Sequence, residues 1–319
     1  MTIPMLLLSV FTFVELNCEN LFDCHHDSLK NDTEFLPDGS YHWTRSRYWR
    51  KLNRVGQTII SCGEKSNGKA TESHWQLPDL VALCEVENDS VMHDLTRRSL
   101  LRKARYEYIM TSSPDERGID VALMYSPFTF NLLSHRQVVI RPVKGMPPTR
   151  NLLYAEGRVP SGDTLHVIVA HLPSRRNGEA QSRPFRQQVA TQIRELVDSV
   201  QGAKPDACII VAGDFNDYTN SETMRTVCSS DMSDISASAT GSNGARGTYR
   251  FQGEWGSLDH IVVSRAMLPK VSECRVHDAP FLLTEDDKYG GVQPRRNYLG
   301  PRYLNGFSDH LPLVAEFCF

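Results

Sequence analysis

The sequence has no C-x-x-C pair, no low-complexity tract, no repeat at solenoid spacing and no apolar run long enough to cross a bilayer. Each absence excludes something. The cysteines are scattered, and Cys18, Cys84, Cys208 and Cys318 lie in or beside apolar stretches, where a free thiol behaves as a small hydrophobe. That argues against a disulfide framework and for a reducing compartment. Cys24-His25-His26-Asp27 has ligand types, but no second cluster stands at zinc spacing. The net charge of -3 excludes a basic, duplex-coating surface, though not a local cationic groove. Met5 to Val14 is apolar but short, with neither a basic start nor a clear small-residue cleavage site. It flows into Phe11-Thr12-Phe13-Val14-Glu15-Leu16-Asn17, read as the first core strand. A cytoplasmic protein is expected; the alternative is a secreted or periplasmic one, with residues 1–10 a leader remnant or disordered.

What is present is enough for a large core: 319 residues, 40% of them apolar, with 13 Phe, 11 Tyr and 4 Trp. The most informative stretch is Cys208 to Asp217. Its opening run of small and apolar residues predicts a strand buried on both faces. Gly213 allows a tight exit, and Asp214 and Asn216 then share a side if the chain stays extended. Pro78 to Asn88 is a second buried strand ending in acid. Further strands are read at Tyr106 to Thr111, Ile119 to Tyr125, Thr129 to Ile140, Leu152 to Val159, Leu165 to Ala170, Thr248 to Phe251, Leu258 to Val263, Val271 to Val276 and Leu311 to Phe319.

Three helices interrupt them. Thr44 caps one whose stripe is Tyr48, Leu52, Val55 and Ile59, with Arg45, Arg47, Arg50, Lys51 and Arg54 read as a solvated face. Met92, Leu95, Leu100 and Leu101 suggest a short second one. Ser182 and Pro184 start the third, striped by Phe185, Val189, Ile193 and Val197. Cys24 to Trp43, with its Pro37-Asp38-Gly39 turn, and Asp278 to Phe307, aromatic and basic, read as long loops. Residues 221–247 give only a helix start near Ser221. About a dozen strands with helices between them fit two packed sheets with helices outside. No Pro/Gly linker divides the chain, so one domain over 1–319 is expected.

Acids or amides end several of the apolar strands: Asn17, Glu85, Asp214 with Asn216, Asp259 and Asp309. Singly, each is more often a turn or surface residue. The recurrence points to a shared site, and oxygen ligands of this kind suit a hard divalent ion such as Mg²⁺ or Mn²⁺. His171, His260 and His310 stand at strand ends too, and the Asp309-His310 pair is suited to proton or phosphate chemistry near neutral pH.

In order, "ELNCENLFD", "LVALCEVEN", "VIVAHLPS", "VAGDFND", "SLDHIVVS" and "FSDHLPLVAEF" resemble the motifs of the endonuclease/exonuclease/phosphatase superfamily, which includes deoxyribonuclease I. "NDTEFLPDGSYHWT", "RGIDVALMYSP" and "PRRNYLGPRYLNGFSDHLP" look like a bacterial branch of it. The resemblance implies an α/β fold, a four-layer α/β/β/α sandwich, with the site at one edge of both sheets. It implies Glu85 as principal metal ligand with Asn17 and Asp309 adjoining, Mg²⁺ or Mn²⁺ being the ion. Asp214 would orient or deprotonate the attacking water and Asn216 would hold a phosphate oxygen. His310 would contact the phosphate, with Asp259 fixing its tautomer, and His171 would donate to the phosphate or leaving oxygen.

Arg175 and Arg176 beside His171 are candidates to fork onto phosphate oxygens, as is Arg117, which shares its loop with Asp120. Arg295, Arg296, Tyr298, Arg302 and Tyr303 mix cations with rings as a single-stranded nucleic-acid or sugar-phosphate site would, with Arg296 chosen as substrate-binding. His260 reads as strand packing. The expected activity is a phosphodiesterase or endonuclease on nucleic acid; the alternative is a phosphatase or phosphodiesterase for an inositol phosphate or a sphingomyelin-type lipid. "GDFNDYTNSE" lacks the aromatic-arginine run of inositol 5-phosphatases, and Asp217-Tyr218 fits abasic-site enzymes poorly. No apolar hairpin suggests stable membrane insertion, and a monomer is expected. A binding module that has lost catalysis is disfavoured, because Glu85, Asp214, Asn216 and His310 are all present.

Overall fold

The computed structural model describes residues 10–64, 75–175, 178–229 and 231–319. Twelve strands build two sheets: β1 (Val10–Leu21), β2 (Leu80–Val86), β3 (Glu107–Met110), β4 (Asp120–Tyr125), β5 (Asn131–Val138), β6 (Leu152–Arg158), β7 (Thr164–His171), β8 (Cys208–Asp214), β9 (Met232–Asp234), β10 (Asp259–Ser264), β11 (Val271–Val276) and β12 (Leu313–Cys318). The helices are α1 (Arg45–Ser61), α2 (Asp89–Arg97), α3 (Glu179–Ala203) and α4 (Glu222–Val227).

The first sheet runs β11-β12-β1-β2-β4-β3 and the second β5-β6-β7-β8-β10-β9. Each has one parallel pair at its centre, β1 with β2 and β7 with β8, and antiparallel neighbours outside it. A parallel pair needs a crossover, which α1 supplies in the first sheet and α3 in the second.

Side-chain alternation assigns the layers. Phe11 and Phe13 of β1 face the second sheet and share a core with Leu80, Leu123, Leu153, Val167, Ile210, Ile261 and Leu313. Val14 and Leu16 face the other way, onto Leu52, Val55 and Ile59 of α1 and Met92 and Leu95 of α2. Ile209 and Val211 of β8 likewise turn outward onto Val189, Ile193 and Val197 of α3. The order is helix, sheet, sheet, helix: an α/β/β/α sandwich. Full burial of each such aliphatic or aromatic side chain contributes about 2 kcal/mol.

The cationic face of α1 is solvated as expected at Arg45 and Arg50 but not at Lys51, Arg54 and Arg47. Lys51 is 1% exposed; its Nζ donates to the Phe307 carbonyl and lies 3.9 Å from Glu19 Oε2. Arg54 Nη1 donates to the carbonyls of Asn305 and Gly306, and Arg47 Nη1 to that of Tyr41. These carbonyls belong to segments that lie back across the helix. Local spacing shows that Lys51 is off the apolar stripe, but not that a segment some 250 residues away covers it.

Other departures are smaller. Ser182 Oγ bonds back to the Gly178 carbonyl (2.9 Å) instead of capping a helix, so α3 begins at Glu179 and carries Pro184 inside it. The stretch read as one loop before β12 holds two small hairpins, Leu283–Glu285 with Val292–Pro294 and Tyr298–Leu299 with Arg302–Tyr303. Tyr249–Phe251 pairs with Glu254–Gly256 outside both large sheets. Ser221 does cap α4, its Oγ accepting from Met224 N. Among the described residues no helix is long and apolar enough to cross a membrane. Residues 1–9, the start of the N-terminal apolar run, lie outside the described residues.

Lys51→Ala would unpair the Phe307 carbonyl and remove the cation beside buried Glu19. It is expected to cost about 3 kcal/mol of stability, read as a lower urea midpoint at unchanged slope.

Candidate active site

The carboxyl ends of the four parallel strands lie at one rim, and each delivers a polar residue there. β1 brings Asn17, β2 Glu85, β7 His171 and β8 Asp214. The antiparallel strand β10 begins at the same rim with Asp259. Within the second sheet His171, Asp214 and Asp259 are register partners, side by side across three strands. Asp309 and His310 arrive just before β12, which runs antiparallel beside β1.

The backbone turns sharply at these exits. Glu19, Asn20, Glu85 and Asn216 adopt φ of 50°, 57°, 62° and 51°, the left-handed region that residues with a Cβ avoid. The β1–β2 register breaks after Asn17 and the β2–β4 register breaks at Glu85, bulges that re-aim side chains. Gly213 has φ 145°, and a Cβ there would stand 1.8 Å from the Ala170 carbonyl oxygen. Only glycine lets β8 approach β7 closely enough to put Asp214 beside His171.

Asp214 is the centre of the network. Its Oδ2 accepts from Asn17 Nδ2 (3.0 Å) and lies 3.5 Å from His171 Nε2. Its Oδ1 accepts the Asn216 backbone N–H (2.8 Å). Asn216 Nδ2 donates to the Leu172 carbonyl (3.0 Å), which fixes the loop after His171. His310 Nδ1 lies 2.7 Å from Asp259 Oδ2, and its ring packs 4.9 Å from that of Tyr249. Ser308 joins the two sides: its Oγ donates to the Asn17 carbonyl (2.7 Å) and accepts from His310 N (3.1 Å). Asn17 Oδ1 is taken by the Glu19 N–H, and Glu85 Oε2 by that of Asn20.

Burial and mutual charge divide the protons. Burial, with the neighbouring Asp259 charge, pushes the Asp214 carboxyl up to about 7. Burial works against a charged imidazole at His310, but Asp259, Asp214 and Asp309 outweigh it and raise that ring well above the ordinary value. Burial lowers His171 far below its ordinary value, helped by the cations of Arg150 and Arg117. Burial opposes ionisation of Asp309, yet His310 and Arg296 hold its carboxyl below the usual range. One rim therefore holds a cationic His310, a neutral His171 and a carboxyl poised near neutrality.

The donor set fits a divalent cation. Ligand atoms of Asp214, Asp259 and His310 all lie within 4.8 Å of one another, and buried Asp259 Oδ1 has no hydrogen-bond partner among the described residues. The hard oxygens at this rim suit such an ion, whereas a protonated His310 offers it no lone pair. Glu85 and Asp309 stand at the same rim.

The arginine candidates separate. Arg296 Nη2 donates to Asp309 Oδ2 (2.8 Å), which puts it at the rim. Arg175 stacks over Tyr218 at 4.4 Å. Arg117 Nε lies 3.8 Å from Asp115 Oδ1, while Arg176 lies outside the described residues. Asp120 is structural, accepting from Ser113 and Thr111. His260 is buried, with Nδ1 on Asp234 Oδ2 (2.8 Å) and Nε2 on the Asp217 carbonyl (3.0 Å). Tyr298 and Tyr303 pack beside the α1 core, with Arg47 over the Tyr303 ring at 4.3 Å.

Sequence reasoning missed Glu15, Ser308, Tyr249 and Arg150. Glu15 is wholly buried, with both carboxylate oxygens unpartnered among the described residues. Burial, followed by the Asp259 and Asp214 charges, raises its pKa well above the ordinary value. Its signal was present: Phe11, Phe13, Glu15 and Asn17 alternate onto one face.

Two facing mixed sheets, flanked by helices and gathering carboxylates and histidines at one rim, define the sandwich of phosphoester hydrolases. Residues 12–318 match the Endonuclease/Exonuclease/phosphatase family, and the chain belongs to it. Among solved structures it is similar to an endonuclease/exonuclease/phosphatase family protein of Bacteroides thetaiotaomicron (TM-score 0.62, 16% identity, covering 97% of this chain and 98% of that one). A mannosyl-6-phosphatase of the same organism gives a TM-score of 0.62 at 16% identity, over 97% of this chain and 100% of that one. Truncated Caenorhabditis elegans TDP2 gives 0.59 at 16% identity, over 97% and 98%. At these identities the likeness is one of fold. No curated protein matches. Family membership makes the protein a phosphoester hydrolase.

Gly213→Ala would force β8 away from β7. A loss of about 3 kcal/mol or more is expected, seen as a lowered thermal midpoint.

Proposed function

We propose that the protein is a divalent-metal-dependent phosphodiesterase that cleaves nucleic acid by in-line attack of water. The observation that carries this is the Asn17–Asp214–His171 contact beside the His310–Asp259 pair, five residues from five strands or strand entries meeting at one rim.

In this reading Glu85, with Asn17 and Asp309 adjoining, would hold Mg²⁺ or Mn²⁺. When bound, the cation neutralises charge growing on the phosphoryl oxygens. Asp214 takes the proton of the attacking water as the new P–O bond forms, a task suited to a carboxyl poised near neutrality. His310, cationic and held through Nδ1 by Asp259, presents Nε2–H to a non-bridging oxygen. Asn216 steadies a second such oxygen through its amide. The P–O bond to the leaving group breaks as neutral His171 donates a hydrogen bond to the departing oxygen, which takes its proton from solvent while Asp214 returns the one it gained. Arg296, Arg175, Arg176 and Arg117 would serve as substrate contacts. We propose that the chain works as one domain and as a monomer, in a reducing cytoplasm that its eight free thiols suit.

A second reading is favoured by the fold shared with a mannosyl-6-phosphatase: a phosphatase for a sugar or other small phosphate. Purified protein with Mg²⁺, assayed against single-stranded DNA, plasmid, RNA, inositol phosphates, sphingomyelin and mannose 6-phosphate, separates the two. Cleavage of nucleic acid is expected, and turnover of mannose 6-phosphate alone would replace the first reading with the second. EDTA is expected to abolish turnover. Asp214→Asn and His310→Gln are each expected to lower kcat by about a hundredfold or more with the fold intact by circular dichroism. Activity within a few-fold of the parent would remove that residue from the scheme.

A further inference from the structure

Asn216 keeps a left-handed backbone (φ 51°) without being glycine, a conformation that persists only where its surroundings over-determine it. The residue that follows supplies much of that determination. Asp217, 5% exposed, is held from three elements at once. Its Oδ2 accepts from Arg186 Nε of α3 (3.1 Å) and from Thr223 Oγ1 of α4 (2.8 Å). Its backbone carbonyl lies 3.0 Å from Nε2 of His260 on β10, which is the donor because a carbonyl only accepts. Each partner is itself fixed. Arg186 Nη1 donates to Ser182 Oγ (2.7 Å), and His260 Nδ1 lies 2.8 Å from Asp234 Oδ2 on β9. The ring of Phe215, on the other side of Asn216 in the chain, packs edge-on against the same imidazole at 5.5 Å.

Stability alone does not account for the Arg186–Asp217 pair. Arg186 and Thr223 are wholly buried, and Arg186 Nη2 has no partner among the described residues. A buried ion pair gains little over apolar groups packed in the same volume, least of all when one of its donors is unmatched. What it offers that apolar contact does not is direction. Arg186 is out of reach of any substrate, so it acts only through its neighbours, and one peptide bond joins Asp217 to Asn216. We infer that Arg186 and Thr223 are positioning residues of the reaction. Through the Asp217 carboxylate they fix the turn that aims the Asn216 amide, one N–H of which donates to the Leu172 carbonyl while the other is left for a phosphoryl oxygen. This rests on the role proposed above for Asn216. The aim of that amide is then set from two helices behind the second sheet, not from the rim itself.

The test is a pair of double-mutant cycles read with bis(p-nitrophenyl) phosphate and Mg²⁺. One removes the ion pair whole, as Arg186→Met together with Asp217→Asn, so that no charge is stranded. The other, Thr223→Val, keeps the shape and removes one hydroxyl donor. In the parent background they are expected to lower kcat by about tenfold and about threefold, with KM changed by less than about twofold. In an Asn216→Ala background each is expected to change kcat by less than about twofold, because the residue they act through is gone. Losses of equal size in both backgrounds would mean that Asp217 merely holds the fold, and would overturn the inference while the Asn216 reading stands. If Asn216→Ala alone turns over at the parent rate, that reading fails and the inference falls with it. A nuclear magnetic resonance readout needs no turnover. The Asn216 side-chain amide, identified as the nitrogen-correlated proton pair lost in Asn216→Ala, is expected to shift or broaden in both clamp variants while the backbone signals of β7 and β8 hold their positions. An unmoved pair overturns the inference whatever the kinetics, and should the double variant fail to fold, Thr223→Val decides by the same two readouts.

Discussion

The sheets are tied at the rim above all by one hydrogen bond, beside the His310–Asp259 contact that also crosses between them: Asn17 Nδ2, on a strand of the first sheet, donates to Asp214 Oδ2, at the end of one in the second. Everything chemical here depends on that crossing. The apolar core holds the sheets face to face but is indifferent to small slips between them, because hydrophobic contact has no direction. A hydrogen bond does have direction, and this one sets Asp214 against His171 while Ser308 secures the chain that carries His310 to the backbone of Asn17.

That arrangement places several ionisable groups in the driest part of the molecule. Glu15, Asp214, Asp259 and His310 are all buried around the same point. Four such groups cannot all be charged without compensation. The resolution is a division of labour: the imidazolium of His310 offsets the acids, Glu15 is driven toward its neutral form by burial and by two neighbouring carboxylates, and His171 remains uncharged. Backbone strain completes the pattern. The left-handed residues Glu85 and Asn216 and the glycine at 213 lie where strands leave their sheets, so the strain sits beside the chemistry while regular strands hold it in place.

Much of this could be read from the chain. Strands such as Cys208–Asp214 announce themselves as continuous apolar runs, and acids or amides at their ends mark the rim. The two-sheet architecture followed from strand number and from crossover helices with a clear apolar stripe. What could not be read depended on distant partners. Lys51 has the spacing of a surface residue, and the backbone that buries it lies 256 positions away. Arg150 sits in a proline-rich stretch with no periodicity, and only the fold brings it to Asp115 and Leu172. Glu15 is the opposite case: its alternation with Phe13 and Asn17 was visible, but a continuous apolar run hides the one charged residue that faces inward. The short hairpins before β12 have too few residues to show a period at all.

Those hairpins bear on how the rim is approached. They belong to neither large sheet, yet Arg296 lies between them and Asp309 and His310 follow the second. The segment is held by Glu19 at Asn297 and Tyr298, by Lys51 and Arg54 at Asn305 to Phe307 and by the last strand beyond, so only the hairpin tips are free to change length without disturbing strand order. A change at those tips would reshape the approach to the rim while leaving the residues on the central strands where they are.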